Sequence, residues 1–171
     1  MARVYFKVHA KDIRKAVQEK GVKNIIALSK NPNVMKQIAG KAIELITPYV
    51  PIESGALRKS AHVVYHEKQV QIVWGDSTVG ARGAKTKEYA HYQYAGNVYG
   101  PNIPIYVNGV FIGWRSPKGK RKYNTGRKLQ YSHPKAQSRW TDVIQRGTSE
   151  FNELVAYAEP LMKKEIKRDN K

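Results

Sequence analysis

The chain has 171 residues, enough for one domain with a real core, and 41% of them are hydrophobic, which argues against wholesale disorder. It has no cysteine, so disulfides, Cys-type zinc sites and thiol nucleophiles are excluded. Its 31 Lys and Arg against 13 Asp and Glu give a formal net charge of +18, which favours polyanionic or acidic partners. No apolar run approaches the roughly 18 residues of a membrane span. With Arg3 and Lys7 inside the first apolar alternation, no secretory leader is expected.

Val4, Phe6 and Val8 alternate with Arg3, Tyr5 and Lys7, the period-two pattern of a strand with one apolar face. Ala10 to Lys20 reads as a short helix with Ile13, Ala16 and Val17 on one side, ended by Gly21. Val22 to Ser29 is ambiguous and leans towards a second helical piece. The next helix is better marked. Asn31 suits the N-cap and Pro32 the first helical position, and Met35, Ile38, Ala42, Leu45, Ile46 and Tyr49 form one stripe. Pro48 and Pro51 close it, because neither carries the donor that would continue it. A Ser54-Gly55 turn then leads through Arg58 and Ser60 into a strand.

Ala61 to Glu67 and Gln69 to Gly75 alternate as a strand pair joined by a tight turn near Glu67-Lys68. Asp76 to Lys85 is rich in Gly, Ala, Ser and Thr and reads as a mobile loop. Its Gly80 to Thr86 lacks the spacing and the strand–loop–helix frame of a phosphate-binding loop. Further on, Ile105-Tyr106-Val107 and Val110-Phe111-Ile112 flank Asn108-Gly109, a pair that tolerates the positive φ of a two-residue hairpin turn. This hairpin either joins the main sheet or projects from it.

From Trp114 to Arg139 there is no acid, but there are nine cations: Arg115, Lys118, Lys120, Arg121, Lys122, Arg127, Lys128, Lys135 and Arg139. Pro117, Gly119, Gly126 and Pro134 interrupt the tract, so it reads as a long loop or arm over 115–139. It is either a solvated basic loop or one that orders against an acidic neighbour or nucleic acid. Trp140, Ile144, Phe151, Leu154, Ala158 and Leu161 or Met162 then follow helical steps. Gly147 weakens that helix, Pro160 kinks it or ends its first half near Glu159, and residues 163–171 read as a frayed, charged tail. The expected fold is therefore α+β in one domain over 1–171. It comprises a small, mainly antiparallel sheet packed by two to three helices, a long C-terminal helix and a protruding basic hairpin and loop.

Chemistry is thinly represented. His62 and His66 would stand about 13 Å apart along a strand, too far to chelate one metal. Glu53 and Asp76 are the nearest approach to catalytic carboxylates; Glu53 reads as a turn or subunit-contact residue and Asp76 as a loop residue bonding to backbone. No catalytic, cofactor or metal site is assigned, and no cofactor is expected. Tyr89, Tyr92, Tyr94, Tyr99 and Tyr106 cluster in sequence, which suits stacking on single-stranded nucleic acid and suits protein interfaces equally.

Three segments carry a resemblance. Thr47 to Ser60, with its prolines, Ser54-Gly55, Leu57-Arg58 and Ser60, resembles a signature of the tail-completion or head–tail joining (neck) proteins of long-tailed phages, often labelled minor capsid proteins. Tyr89 to Gly96 resembles that family's Tyr- and Ala-rich helical segment, and Ala136 to Trp140 its C-terminal helix entry. The strand running into a Lys-rich helix at the N-terminus is also typical, so the resemblance spans nearly the whole chain. Ser54 stands where family members often have Thr, and Tyr94 where they often have an acid.

The resemblance implies a non-enzymatic virion protein, made in the bacterial host cytoplasm. It would form a ring, most simply a hexamer, between the head-side portal or connector and the tail terminator, with a DNA end possible in its channel and no membrane. On this reading the candidate subunit or partner contacts are Arg58, Tyr94, Asn108, Gly109, Arg115, Lys118, Lys120, Arg121, Lys122, Arg127 and Lys128. Arg58 can equally be a surface residue near a turn; as a family residue it would be a charged contact to its own helix or to an adjacent subunit. The alternatives are a nucleic-acid-binding protein reading backbone through the basic tract, a tail terminator, or another minor capsid component.

Overall fold

The computed structural model describes residues 3–7, 10–19, 31–66, 69–80, 83–117 and 119–169. The helical piece expected at 22–29, the turn at Glu67-Lys68, the Gly21 stop and Lys118 lie outside them. The observed architecture is α+β, and its main sheet has three antiparallel strands. These are β1 (Val4–Lys7), β2 (His62–His66) and β3 (Gln69–Trp74), with β3 in the centre. Of three further helices, α2 (Pro32–Ile46) packs on β2 and β3, and α5 (Ser149–Asp169) packs on both α2 and α1 (Ala10–Glu19). Two further helices bracket the β2–β3 pair along the chain, α3 (Ala56–Lys59) before it and α4 (Thr86–Ala95) after it.

Asn31 caps α2 as its sequence position predicts, its side chain accepting from the amides of Asn33 and Val34 at 3.0 and 3.4 Å. The buried stripe Met35, Ile38, Ala42 and Ile46 packs with Val17, Ile72 and Leu154 into one core. Trp74 from β3 and Trp140 sit fully buried with ring centroids 6.3 Å apart, edge to face.

The structure departs from the sequence reading at several points. The C-terminal helix begins at Ser149, not at Trp140. Trp140–Ile144 is a 3₁₀ turn, Gly147 has φ +99°, and the Thr148 hydroxyl accepts from the Phe151 amide at 3.1 Å to start α5 afresh. Pro160 does not end that helix: it and Ala156, whose carbonyl it leaves without a helical donor, both face solvent, where water can serve the oxygen. Within the stretch read as a mobile loop, the described residues 76–80 and 83–85 carry cross-links. Thr86 N–H donates to the Thr78 carbonyl, Gly80 N–H to that of Ala84, and the buried Thr86 hydroxyl bonds Asp76. Asp76 does bond backbone, accepting from Thr78 N–H at 2.7 Å.

The basic tract is not a continuous loop. Tyr123–Lys128 forms β7, antiparallel to β4 (Asn97–Gly100), with Gly100 opposite Tyr123 and Asn97 opposite Lys128. The ladder has no apolar alternation to announce it. Side chains help to hold it: the Thr125 hydroxyl donates to the Val98 carbonyl at 2.7 Å and Lys128 to Asn97 Oδ1 at 3.0 Å. From the Gly100–Tyr123 end rises the hairpin β5 (Ile103–Val107) and β6 (Val110–Arg115), which pair only with each other. The hairpin projects; it is not part of the main sheet.

Candidate interaction surface

The signature segment proves to be an internal clasp. With α2 stopped by its prolines, a short 3₁₀ turn at Thr47–Tyr49 leaves backbone carbonyls pointing at the following loop. The Arg58 guanidinium takes two of them, Nε donating to Val50 O at 2.9 Å and Nη2 to Pro48 O at 3.0 Å. Gly55, at φ +77°, makes the turn that swings α3 back, and Ala56 and Leu57 plug into the core. Buried Ser60 donates to Leu57 O at 2.8 Å and accepts from Gly75 N–H at 3.0 Å, tying the clasp to the end of β3. Among the readings open for Arg58, the charged contact to its own helix end is present in the single chain.

Tyr94 also turns inward. Its hydroxyl lies 2.6 Å from Thr141 Oγ1 and its ring stands edge-on to Trp140 at 4.9 Å, so in the single chain it serves the core. The remaining described candidates lie in or beside the β4–β7 ladder and the hairpin.

In the hairpin, Asn108 and Gly109 form the expected turn with φ +50° and +78°. Ile112 is an extra residue that resets the pairing between Ile105–Gly113 and Tyr106–Phe111. The reset gathers Tyr106, Phe111 and Trp114 on one face, with Phe111 lying 5.8 Å from Tyr106 and 5.4 Å from Trp114. Val107 pairs with Val110 on the other, where Ile103 also points. Both faces are wet: Tyr106 is 60% exposed, Val110 64% and Trp114 56%. From Tyr89 to Trp114 no residue is Lys, Arg, Asp or Glu, so an uncharged ribbon stands above a cationic base.

That base holds the other candidates among the described residues. Arg115 closes β6 and is exposed, as are Lys120, Arg121 and Arg127, while Lys122 donates to the Pro101 carbonyl at 3.1 Å and Lys128 to Asn97. Sequence reasoning named the tip of the ribbon but missed its walls. The signal was present: apolar residues occupy both parities of each strand, where a sheet with one wet face would alternate.

A second feature went unnoticed in the sequence. At the opposite end of the β4–β7 ladder, Leu129–Ser132 runs beside Pro51–Leu57, and the two border a groove of about 690 Å³, with Gly80, Ala84, Tyr89 and Gln93 as its remaining walls. The Tyr131 hydroxyl donates to Gln93 O at 2.7 Å and Ser132 to Ile52 O at 3.4 Å, which fixes that border. Burial, and then the Glu53 and Asp76 carboxylates, push the Tyr89 hydroxyl above its ordinary pKa, and burial alone does so for Tyr131. None of the described lining residues is Lys or Arg.

No protein-family model, curated protein or solved structure matches the chain. No helix among the described residues is long and apolar enough to cross a membrane.

Proposed function

We propose that this chain is a non-enzymatic assembly protein of a tailed-phage virion, a ring-forming component of the neck that joins the DNA-filled head to the tail. The observation that carries the reading is the projecting β5–β6 ribbon, apolar on both faces. A two-stranded hairpin is marginal in water on its own, and large exposed apolar patches mark association surfaces. Such a device adheres by shape; it turns nothing over.

The order of the signature segments supports the phage assignment, since the proline-stopped helix, clasp, Tyr-rich helix and C-terminal helix succeed one another as the resemblance implies. The ring, most simply a hexamer, stacks between the head-side connector and the tail terminator. Its cations at Arg115, Lys120, Arg121 and Arg127 meet acidic surfaces of these neighbours. Protein is favoured over the DNA end because a channel that gripped DNA strongly would impede its exit.

The acid-free tract also supports a second reading, a nucleic-acid-binding protein. Duplex or single-strand binding that is tight at low salt and falls steeply as salt rises would favour it. The neck reading is tested by electron microscopy of particles from a phage or prophage lacking the gene. Full heads beside free, finished tails are expected, and intact virions would sink the proposal.

A further inference from the structure

Ribbon and groove sit at opposite ends of the β4–β7 ladder, and in this +18 chain neither the ribbon from Ile103 to Trp114 nor the described groove lining presents a cation. The geometry points to a head-to-tail contact in which the β5–β6 ribbon of one copy inserts into the groove between Pro51–Leu57 and Leu129–Ser132 of the next. This contact rests on the ring reading and gives that ring its joint.

The ribbon itself narrows the occupant. Among the described residues its two strands pair only with each other, so each presents an outer edge of backbone N–H and C=O groups that no described strand takes up. A bilayer offers those edges nothing. Nucleic acid would use the aromatic face of Tyr106, Phe111 and Trp114, but would leave the aliphatic face of Ile103, Val107 and Val110 wet. A protein groove bordered by backbone can serve both edges and both faces.

Charge selects the second copy. Self-association of so basic a chain is opposed wherever cations face cations. The ribbon carries no charge from Ile103 to Trp114, and the described groove lining holds one carboxylate, Glu53, and no cation. The contact joins two different patches of the same chain, so it is heterologous, and repeated contacts of that kind close into rings when the rotation permits.

The absence of native cysteine makes the test clean. Full-length Val110→Cys and Gln130→Cys chains, distinguishable by tag length, are mixed and oxidised, with Asn152→Cys on the exposed face of α5 as the control partner. A Val110–Gln130 mixed disulfide without the Asn152 product is expected. Phe111→Glu, a change on the exposed ribbon, should weaken self-association in sedimentation velocity about tenfold or more while leaving the circular dichroism spectrum intact. Oligomers that form without the mixed disulfide and ignore Phe111→Glu would overturn this contact and leave the ring reading standing. A chain that stays monomeric at every concentration, or sediments faster only with added oligonucleotide, overturns the contact. The morphology of particles lacking the gene then decides the ring reading separately.

Discussion

The guanidinium of Arg58 reaches back ten residues to the carbonyl of Pro48, 3.0 Å away, and closes the helix end that two prolines leave open. Arg58→Ala strips a donor from Pro48 and from Val50, half-shielded from water, and is expected to cost about 1–3 kcal/mol in denaturant unfolding. Arg58→Lys should recover only part of that, since a single ammonium cannot reproduce the two-pronged donation. The folded fraction of either variant should still self-associate. Loss of association at unchanged stability would return Arg58 to the subunit interface.

Gly96 closes α4 with φ +69°, and a Cβ there would overlap that of Ser138, which arrives from the segment leading to Trp140. Gly96→Ala is therefore expected to lose about 2 kcal/mol or more, part from the left-handed backbone and part from the overlap. Adding Ser138→Gly should restore the second part alone. Thermal melts of the two singles and the double separate the terms; full additivity would mean that the two residues do not touch.

Residues whose roles are set by local backbone chemistry were legible in the sequence. Asn31 had to cap α2, Asn108-Gly109 had to turn a hairpin, and Pro48 and Pro51 had to stop a helix. The hidden features depend on partners distant in sequence. β7 alternates nothing apolar, and its ladder to β4 is reinforced by Thr125 and Lys128 reaching residues about thirty positions earlier. The groove is assembled from four separated segments, so no window of sequence contains it. The intrachain bonds of Arg58 and Tyr94 were not legible either, because a charged or phenolic side chain is equally at home on a partner and on carbonyls and ring edges of its own chain.

Glu150 at the start of α5 accepts from the Tyr49 hydroxyl in the 3₁₀ turn that follows α2, and the bond moves both groups apart on the pH scale. The Tyr49 hydroxyl, then that of Ser149, holds Glu150 below its ordinary 4.5; Glu150, then burial, holds Tyr49 above its ordinary 10.0. The depressed carboxyl stabilises the fold fully above its unfolded value and stops doing so as pH falls through its folded one. The raised phenol stabilises it fully below 10.0, an effect lost as pH rises through the folded value. Tyr49→Phe should flatten both limbs of a plot of melting temperature against pH. A remaining acid limb is expected from Asp76. Burial there opposes ionisation, but bonds from Thr78 and Thr86, helped by His62, still hold it below its ordinary value. An unchanged alkaline limb in Tyr49→Phe would show that the bond is not made in solution.

The ribbon contributes no residue to the buried core, so its folding should be separable from that of the body. In the dilute chain, the cross-strand amides of β5 and β6 are expected to exchange with deuterium faster than those of β3, which is paired on both sides and buried at Ile72, Val73 and Trp74. Gly109→Val places a β-branched residue at φ +78° and should abolish the remaining protection around Val107 and Val110 while leaving the melting temperature of the body unchanged. Protection of the wild-type ribbon should then rise with protein concentration, because a second copy covers the walls that water otherwise wets. A ribbon equally protected at every concentration would be stable by itself, and its exposed Val110, Phe111 and Trp114 would no longer require a partner.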